Sequence, residues 1–167
     1  MANSLRAHYG SDVLIAPANS FTGSVLKEDY TEKQVGSMVM PNSLQAWQRE
    51  MTGAELKGTV KAYVEGIEDG FKPFNRGSLP TLSGISMEVK EGNGSYPLTR
   101  LLYDGKKVAD ADTFRVTCLN TAAYMAPFLK DESRVFEEEN QSVKQEWTAY
   151  ILTGGSLAEP ERYITLR

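Results

Sequence analysis

Cysteine and histidine are almost missing from these 167 residues, which hold one of each, Cys118 and His8. A lone thiol forms no internal disulfide and supplies no cysteine-based zinc site. Cys118 lies inside the apolar run Phe114–Leu119, where it reads as a small buried hydrophobe rather than a nucleophile. His8 is near the N-terminus, far from Cys118 in sequence, so no Cys-His dyad and no histidine-rich metal cluster is on offer. One histidine also falls short of a two-metal hydrolytic centre. Long hydrophobic runs are lacking as well, and none approaches the roughly 20 residues of a membrane-spanning helix. The N-terminus, Met1-Ala2-Asn3-Ser4-Leu5-Arg6, has no basic segment leading into an apolar run, so no signal peptide is expected in it. Positive charge is not in excess. With 18 basic and 22 acidic residues the net charge is −4, and no basic stripe for a phosphate backbone exists. Nucleic acid is therefore not an expected partner, although one or two local arginines remain compatible with capture of a single phosphate.

What is present is ordinary for a globular protein: 41% hydrophobic and 24% charged residues. A chain of this length suits one domain, or one domain with a short extension, and buries a core without a disulfide or metal staple. Along the chain, Ser4–Tyr9 predicts a short helix capped by Asn3 or Ser4 and stopped by Gly10. Asp12–Ala16 is a continuous apolar run ending at Pro17 and predicts a buried strand. Asn19-Ser20-Phe21-Thr22-Gly23 follows as a loop at that strand's C-terminal end. Thr31-Glu32-Lys33-Gln34 has the spacing of a capping box and predicts a short helix. Leu44–Met51 predicts a strand carrying Trp47.

Thr52-Gly53-Ala54-Glu55 opens the clearest helix, with Leu56, Val60, Tyr63 and Val64 on one apolar stripe and Gly66 as its stop. Residues 67–80 read as an ordered loop. Leu82–Val89 predicts one strand with Ile85, Met87 and Val89 on its apolar face. A turn over 91–95, a strand over Leu98–Tyr103 and a hairpin at Asp104-Gly105-Lys106-Lys107 come next. Phe114–Leu119 is a further strand. Asn120 reads as the cap of a helix over 121–129. The stretch 131–141, with Glu137, Glu138 and Glu139, reads as solvated surface. Ser142–Leu152 is a second clear helix, with Val143, Trp147, Tyr150 and Ile151 as its buried stripe. Tyr163–Leu166 predicts a closing strand. Helices between strand groups, with a hairpin in the middle, predict an α+β fold with a mixed, largely antiparallel sheet.

This order of landmarks resembles the C-terminal domain of 5′-nucleotidases and UDP-sugar hydrolases. Tyr9-Gly10-Ser11-Asp12-Val13-Leu14-Ile15 is similar to that family's Gly-Ala-Asp-Ile-Ala-Leu stretch. Met40-Pro41-Asn42-Ser43-Leu44 resembles a shortened Pro-Phe-x-Asn-x-Leu segment, and Met51–Leu56 resembles its Thr-Gly-x-Glu-Leu helix start. Leu79–Ile85 is similar to the Leu-x-x-Ser-Gly strand entry. Asp112–Val116 looks like the Asp-x-Tyr-x-Val strand, and Tyr163-Ile164 sits where the family has a closing strand. The resemblance runs in order over nearly all of residues 1–167, and its force lies in the series rather than in any one motif.

The resemblance implies a 5′-nucleotidase C-terminal-like domain detached from an N-terminal metallophosphoesterase domain. That absent partner would carry the divalent metals and the catalytic residues, so neither a catalytic residue nor a metal ligand is expected in this chain. Its part would be to hold a nucleotide or nucleoside, with arginines on the phosphate and two aromatic rings on the base. It also implies an extracellular, periplasmic or cell-surface location. Carried over residue by residue, these contacts are thinned. Thr22 stands where the first phosphate arginine would be, and a hydroxyl carries no charge and cannot grip a phosphate bidentately. Thr52 replaces a residue that is basic in some relatives, and Leu79 stands nearest the first stacking ring. The family's Asn-x-x-x-x-Gly-Gly-Asp-Gly stretch falls on Asn120–Pro127, where Tyr124 or Phe128 takes the place of the second ring. The candidate substrate contacts are therefore Asn19, Phe21, Thr22, Asn42, Arg76, Asn120 and Tyr124. Each has a plainer role too. Phe21 either stacks on a base or folds back onto the core. Asn19 and Asn42 orient a ligand hydroxyl or simply shape turns. Arg76 reaches a phosphate or stays in solvent. The alternative to a nucleotidase part is a diverged module of the same fold that reads another ligand or a protein.

Overall fold

Four consecutive apolar residues, Val13–Ala16, make strand β1, and all four are buried. A strand apolar on both sides belongs in a sheet covered on both faces, and β1 lies in one. The computed structural model describes residues 1–17, 20–21, 31–39, 44–65, 80–90, 97–120, 134–135, 142–155 and 164–166. Among them the sheet of β1 also contains β2 (Gln45–Thr52), β3 (Thr81–Ser83), β7 (Thr113–Asn120) and β8 (Arg134–Val135), in the order β3-β1-β7-β2-β8. β1 runs parallel to β7, with Val13 opposite Val116 and Ile15 opposite Cys118. It runs antiparallel to β3, with Ala16 opposite Thr81. β2 and β7 form the longest ladder, antiparallel from Gln45–Asn120 to Thr52–Thr113. A second sheet has the order β6-β5-β4-β9, built from β4 (Ile85–Val89), β5 (Leu98–Tyr103), β6 (Lys106–Lys107) and β9 (Ile164–Leu166). Here only β4 and β9 are parallel. The fold is α+β with mixed, largely antiparallel pairing, and its strands divide between two sheets.

Side-chain alternation makes the first sheet the middle layer. Val13, Ile15, Val116 and Cys118 face one core, while Leu14, Ala16 and Leu119 face another. Over the first face lie α3 (Gly53–Glu65) and the second sheet, with Leu56, Val60, Tyr63 and Val64 packed against Met87, Val89 and Leu101. Over the second lie α1 (Ala2–His8), α2 (Glu32–Gly36) and α4 (Val143–Leu152), which insert Leu5, Val35, Val143 and Trp147.

Three helix starts obey the capping rule. Thr31 with Gln34 and Ser142 with Gln145 form reciprocal capping boxes. Thr52 does the same for α3: its N–H donates to Glu55 Oε2 at 2.8 Å, and its Oγ1 accepts from the Glu55 N–H at 3.2 Å. Arg49 forms an ion pair with the same carboxylate. The Thr52 N–H first, and the Thr52 hydroxyl and Arg49 with it, hold Glu55 down at about 2. A depressed carboxylate contributes stability that is present above its unfolded value of 4.5 and is lost as pH falls towards about 2. Glu55→Gln is accordingly expected to remove part of the acid sensitivity. Urea unfolding of both proteins at neutral pH and in the window between these two values measures it, and an equal loss in both would refute the assignment.

Several expectations are corrected. Leu82–Val89 is not one strand: it breaks at Gly84, whose φ is +81°, and its halves enter different sheets. α1 starts at Ala2 with Met1 at the cap position and no side-chain cap. Ser4 is buried, and Asn3 Oδ1 instead accepts from Ser83 Oγ at 2.5 Å, tying α1 to β3. Within the stretch read as acidic surface, Arg134–Val135 pairs with Trp47 and Gln48 as an edge strand. On α4, Val143 and Trp147 are buried while Tyr150 and Ile151 are half-buried. The helix expected over 121–129, the turn over 91–95, the loop over 67–79 and the Gly66 stop lie outside the described residues.

Candidate functional site

The parallel pair β1 and β7 gives the first sheet a carboxyl-terminal edge, the place where open α/β sheets commonly bind ligands. The register shows what meets there. Ala16, the end of β1, faces Thr81, the start of β3, and Asn120, the end of β7, faces Gln45, the start of β2. Four chain segments thus enter or leave the sheet at one edge. The seven candidate contacts follow or precede these strand ends by a few residues in sequence: Asn19, Phe21 and Thr22 after β1, Asn42 before β2, Arg76 before β3, and Asn120 and Tyr124 at and after β7. Asn19, Thr22, Asn42, Arg76 and Tyr124 lie outside the described residues. Asn120 is the last residue of β7 and pairs through its backbone with Gln45, so it closes a ladder.

Phe21 is the described candidate with a side chain in view. It bridges to Val39 in antiparallel fashion and packs, half-buried, on the core formed by Val35, Val39 and Leu44. Beside it, the Ser20 N–H donates to the Pro17 carbonyl at 3.0 Å. The Ser20 hydroxyl is fully buried and has no hydrogen-bond partner among the described residues. A buried hydroxyl without a partner is costly, and its place at this edge was not legible from the sequence, where Ser20 is one polar loop residue among several.

Deeper in the sheet the polar groups are used structurally. Gln48 Nε2 donates to the Tyr9 carbonyl and to Ser11 Oγ, each at 2.9 Å, and more weakly to Thr117 Oγ1 at 3.3 Å. The Ser11 and Thr117 hydroxyls bond to each other, and the Tyr9 hydroxyl donates to Glu146. Burial, followed by the nearby Glu146 charge, pushes the Tyr9 phenol up; burial also raises Glu146, partly offset by Tyr9 and His8. Cys118 is fully buried and its thiol is pushed up to about 12 by that burial, so it stays protonated and inert at neutral pH. Among the described residues no group of three or more His, Cys, Asp or Glu gathers to hold a metal. No described helix is long and apolar enough to cross a membrane.

Two open clefts are lined by described residues. One, of about 720 Å³, runs between α2 and α4 and is lined by Thr31, Lys33, Lys144, Gln145, Thr148 and Leu152. The other, of about 490 Å³, is lined by Arg6, Gly84, Ser86, Tyr103, Asp104 and Gly105. Among the described residues that line them, none was singled out from the sequence as a substrate contact.

No family model matches the sequence, and no curated protein matches it. Solved structures do. A putative 5′-nucleotidase from Staphylococcus aureus, solved with alpha-ketoglutarate, superposes with a TM-score of 0.69 at 14% identity, over 99% of this chain and 35% of that one. The NAD nucleotidase of Haemophilus influenzae gives 0.68 at 13% identity, over 99% and 32%. The sulfate thiohydrolase SoxB of Thermus thermophilus, in complex with glycerol, gives 0.61 at 14% identity, over 98% and 30%. The chain thus spans about a third of the length of the proteins it matches. At such identities the likeness carries the fold, which is that of 5′-nucleotidase C-terminal domains.

Proposed function

We propose that this chain is the substrate-side domain of a 5′-nucleotidase-type phosphoester hydrolase, acting in nucleotide catabolism and not catalytic alone. It holds a nucleotide or nucleoside at the carboxyl-terminal edge of β1 and β7. An N-terminal metallophosphoesterase domain supplies the divalent metals and the hydrolytic step, outside the cytoplasm. The observation that carries the reading is the match of nearly the whole chain to one third of two nucleotidases, joined to the convergence of four strand ends on one edge. Asn19, Phe21, Thr22, Asn42, Arg76, Asn120 and Tyr124 are the proposed contacts, with Tyr124 or Phe21 as the stacking ring.

A second reading has its own support. Thr22 in place of an arginine weakens phosphate capture, Phe21 packs on the core, and the same fold occurs in a thiohydrolase. These favour a diverged, non-catalytic binding module. Calorimetric titration with AMP, adenosine and UDP-glucose, without added metal, separates the two. The first reading expects AMP or adenosine to bind more tightly than about 1 mM, or about 4 kcal/mol. Tyr124→Ala or Phe21→Ala then removes about 1–3 kcal/mol of stacking and identifies the ring. No binding by any of the three would reject a self-sufficient nucleoside site and leave the second reading.

A further inference from the structure

The cleft of about 490 Å³ lies at the opposite end of the first sheet from the proposed nucleotide edge. Its floor is the β3–β4 break at Gly84, which adjoins Asp12, the residue before β1. Its far wall is the β5–β6 turn, Asp104-Gly105, with φ of 48° and 71°. Arg6 enters from α1. Its Nη1 donates one long hydrogen bond, 3.3 Å, to the Asp12 carbonyl, and its Nε is buried without a hydrogen-bond partner among the described residues. Among the described residues no carboxylate pairs with it.

That accounting is unusual for a half-buried arginine. The guanidinium has five N–H donors and a permanent charge, and it satisfies itself by gripping an oxyanion bidentately. Here one neutral carbonyl takes one donor. A Cβ at Gly84 would stand 3.0 Å from Arg6 Cδ and Nη1, so a glycine there leaves the guanidinium its place against the cleft floor. Ser86 adds a hydroxyl to the wall. We propose that this cleft is a second ligand site, for a small oxyanion, the phosphate or carboxylate group of a metabolite, anchored by Arg6 and Ser86. Asp104 stands in the lining as the opposing charge and limits the anion to one that keeps its charged end towards Arg6.

The test is titration of the 167-residue chain with inorganic phosphate and, separately, acetate, following backbone amide resonances. Saturable shifts of Gly84, Ser86 and Gly105 are expected with at least one ion, and the stronger ion tells phosphate from carboxylate. Arg6→Gln weakens the binding by about tenfold or more, the worth of one charge-assisted pair, and Arg6→Lys retains part of it. Asp104→Asn tightens it by about two- to fivefold through loss of a like charge. Asn tolerates the positive φ of that turn, so this variant keeps the test decisive if Arg6→Gln fails to fold. Absence of saturable shifts at these amides, or unchanged affinity in the variants that fold, overturns the proposal. So do shifts confined to Ala16, Gln45 and Thr81, which would put the anion at the nucleotide edge instead. A failure of AMP to bind at that edge leaves this site untouched.

Discussion

Trp147→Ala is expected to cost about 3–5 kcal/mol, the range for truncating a buried aromatic ring in a core. Trp147 sits on α4 with 1% of its surface exposed, in the same core as Leu5, Leu14, Val35, Leu119 and Val143. Those residues come from α1, α2, α4, β1 and β7, so the ring shares one core with all five. Its indole N–H is buried without a hydrogen-bond partner among the described residues. Packing alone therefore holds the ring, and Trp147→Phe, which keeps most of the volume and removes the orphaned donor, is expected to recover much of the loss. Domains of this kind have about 5–15 kcal/mol in total, so the alanine variant loses about a fifth of its stability or more. Urea unfolding followed by circular dichroism measures the change directly; a cost below about 1 kcal/mol would mean that α4 does not dock as described. The loss should be global, because the lost contacts reach the central strands rather than α4 alone.

The elements that were legible in the sequence are those whose local chemistry and tertiary role agree. β1 has an apolar run and is buried on both faces. α3 has a capping box at its start and one apolar stripe, and that stripe is the face in the core. The Asp104-Gly105 turn has the residue pair that two positive φ angles demand, and both are positive. The misreadings occur where a long-range partner decides. Nothing local to Arg134–Val135 marks a strand; it is one because β2 offers a free edge at Trp47 and Gln48. Asn3 has the chemistry of a cap but spends its side chain on Ser83, eighty residues away.

For the candidate site, what was legible in the sequence is the fold that would carry it. Landmarks spread along the chain identify the fold, since spacing between core positions survives at 13–14% identity. In sequence the candidates follow or precede strand ends that share an edge. The chemistry of a site resides in single side chains on loops, and there the chain departs from the pattern, as Thr22 does. Phe21, a loop aromatic that composition allows either to stack on a base or to fold onto the core, packs half-buried against the core that holds Leu5, Val39 and Trp147. Arg6 illustrates the converse. One basic residue in a seven-residue helix carries no motif, and only the tertiary neighbours Asp12 and Gly84 show that its charge has no carboxylate among the described residues.

Gly84→Ala is expected to destabilise by about 2–5 kcal/mol, combining backbone strain with overpacking. Its φ of +81° lies in the region that L side chains rarely adopt. There is also no room: a Cβ would run into the Asp12 carbonyl oxygen, which the backbone holds, and crowd Arg6 Cδ. Asp12 cannot yield cheaply. Its N–H donates to the Arg115 carbonyl at 2.9 Å and its carboxylate accepts from the Arg115 N–H at 2.8 Å, so it fixes the start of the β1–β7 pairing. Relief must come from moving β4 away from β3, which pulls the second sheet off the core it shares with α3. The control is Gly105→Ala. That glycine also has a positive φ, 71°, but a Cβ there meets nothing within 4 Å, so it reports the strain alone, about 1–3 kcal/mol. Thermal and urea unfolding of both variants separate the two contributions. A larger loss at Gly84 than at Gly105 is the expected result. Equal losses would mean that β3 and β4 part easily and that Gly84 is present only for its dihedral angles. The sequence held the hint, an isolated glycine between Ser83 and Ile85 in a strand pattern. That one residue turns the chain from one sheet into the other and sets the floor on which Arg6 rests.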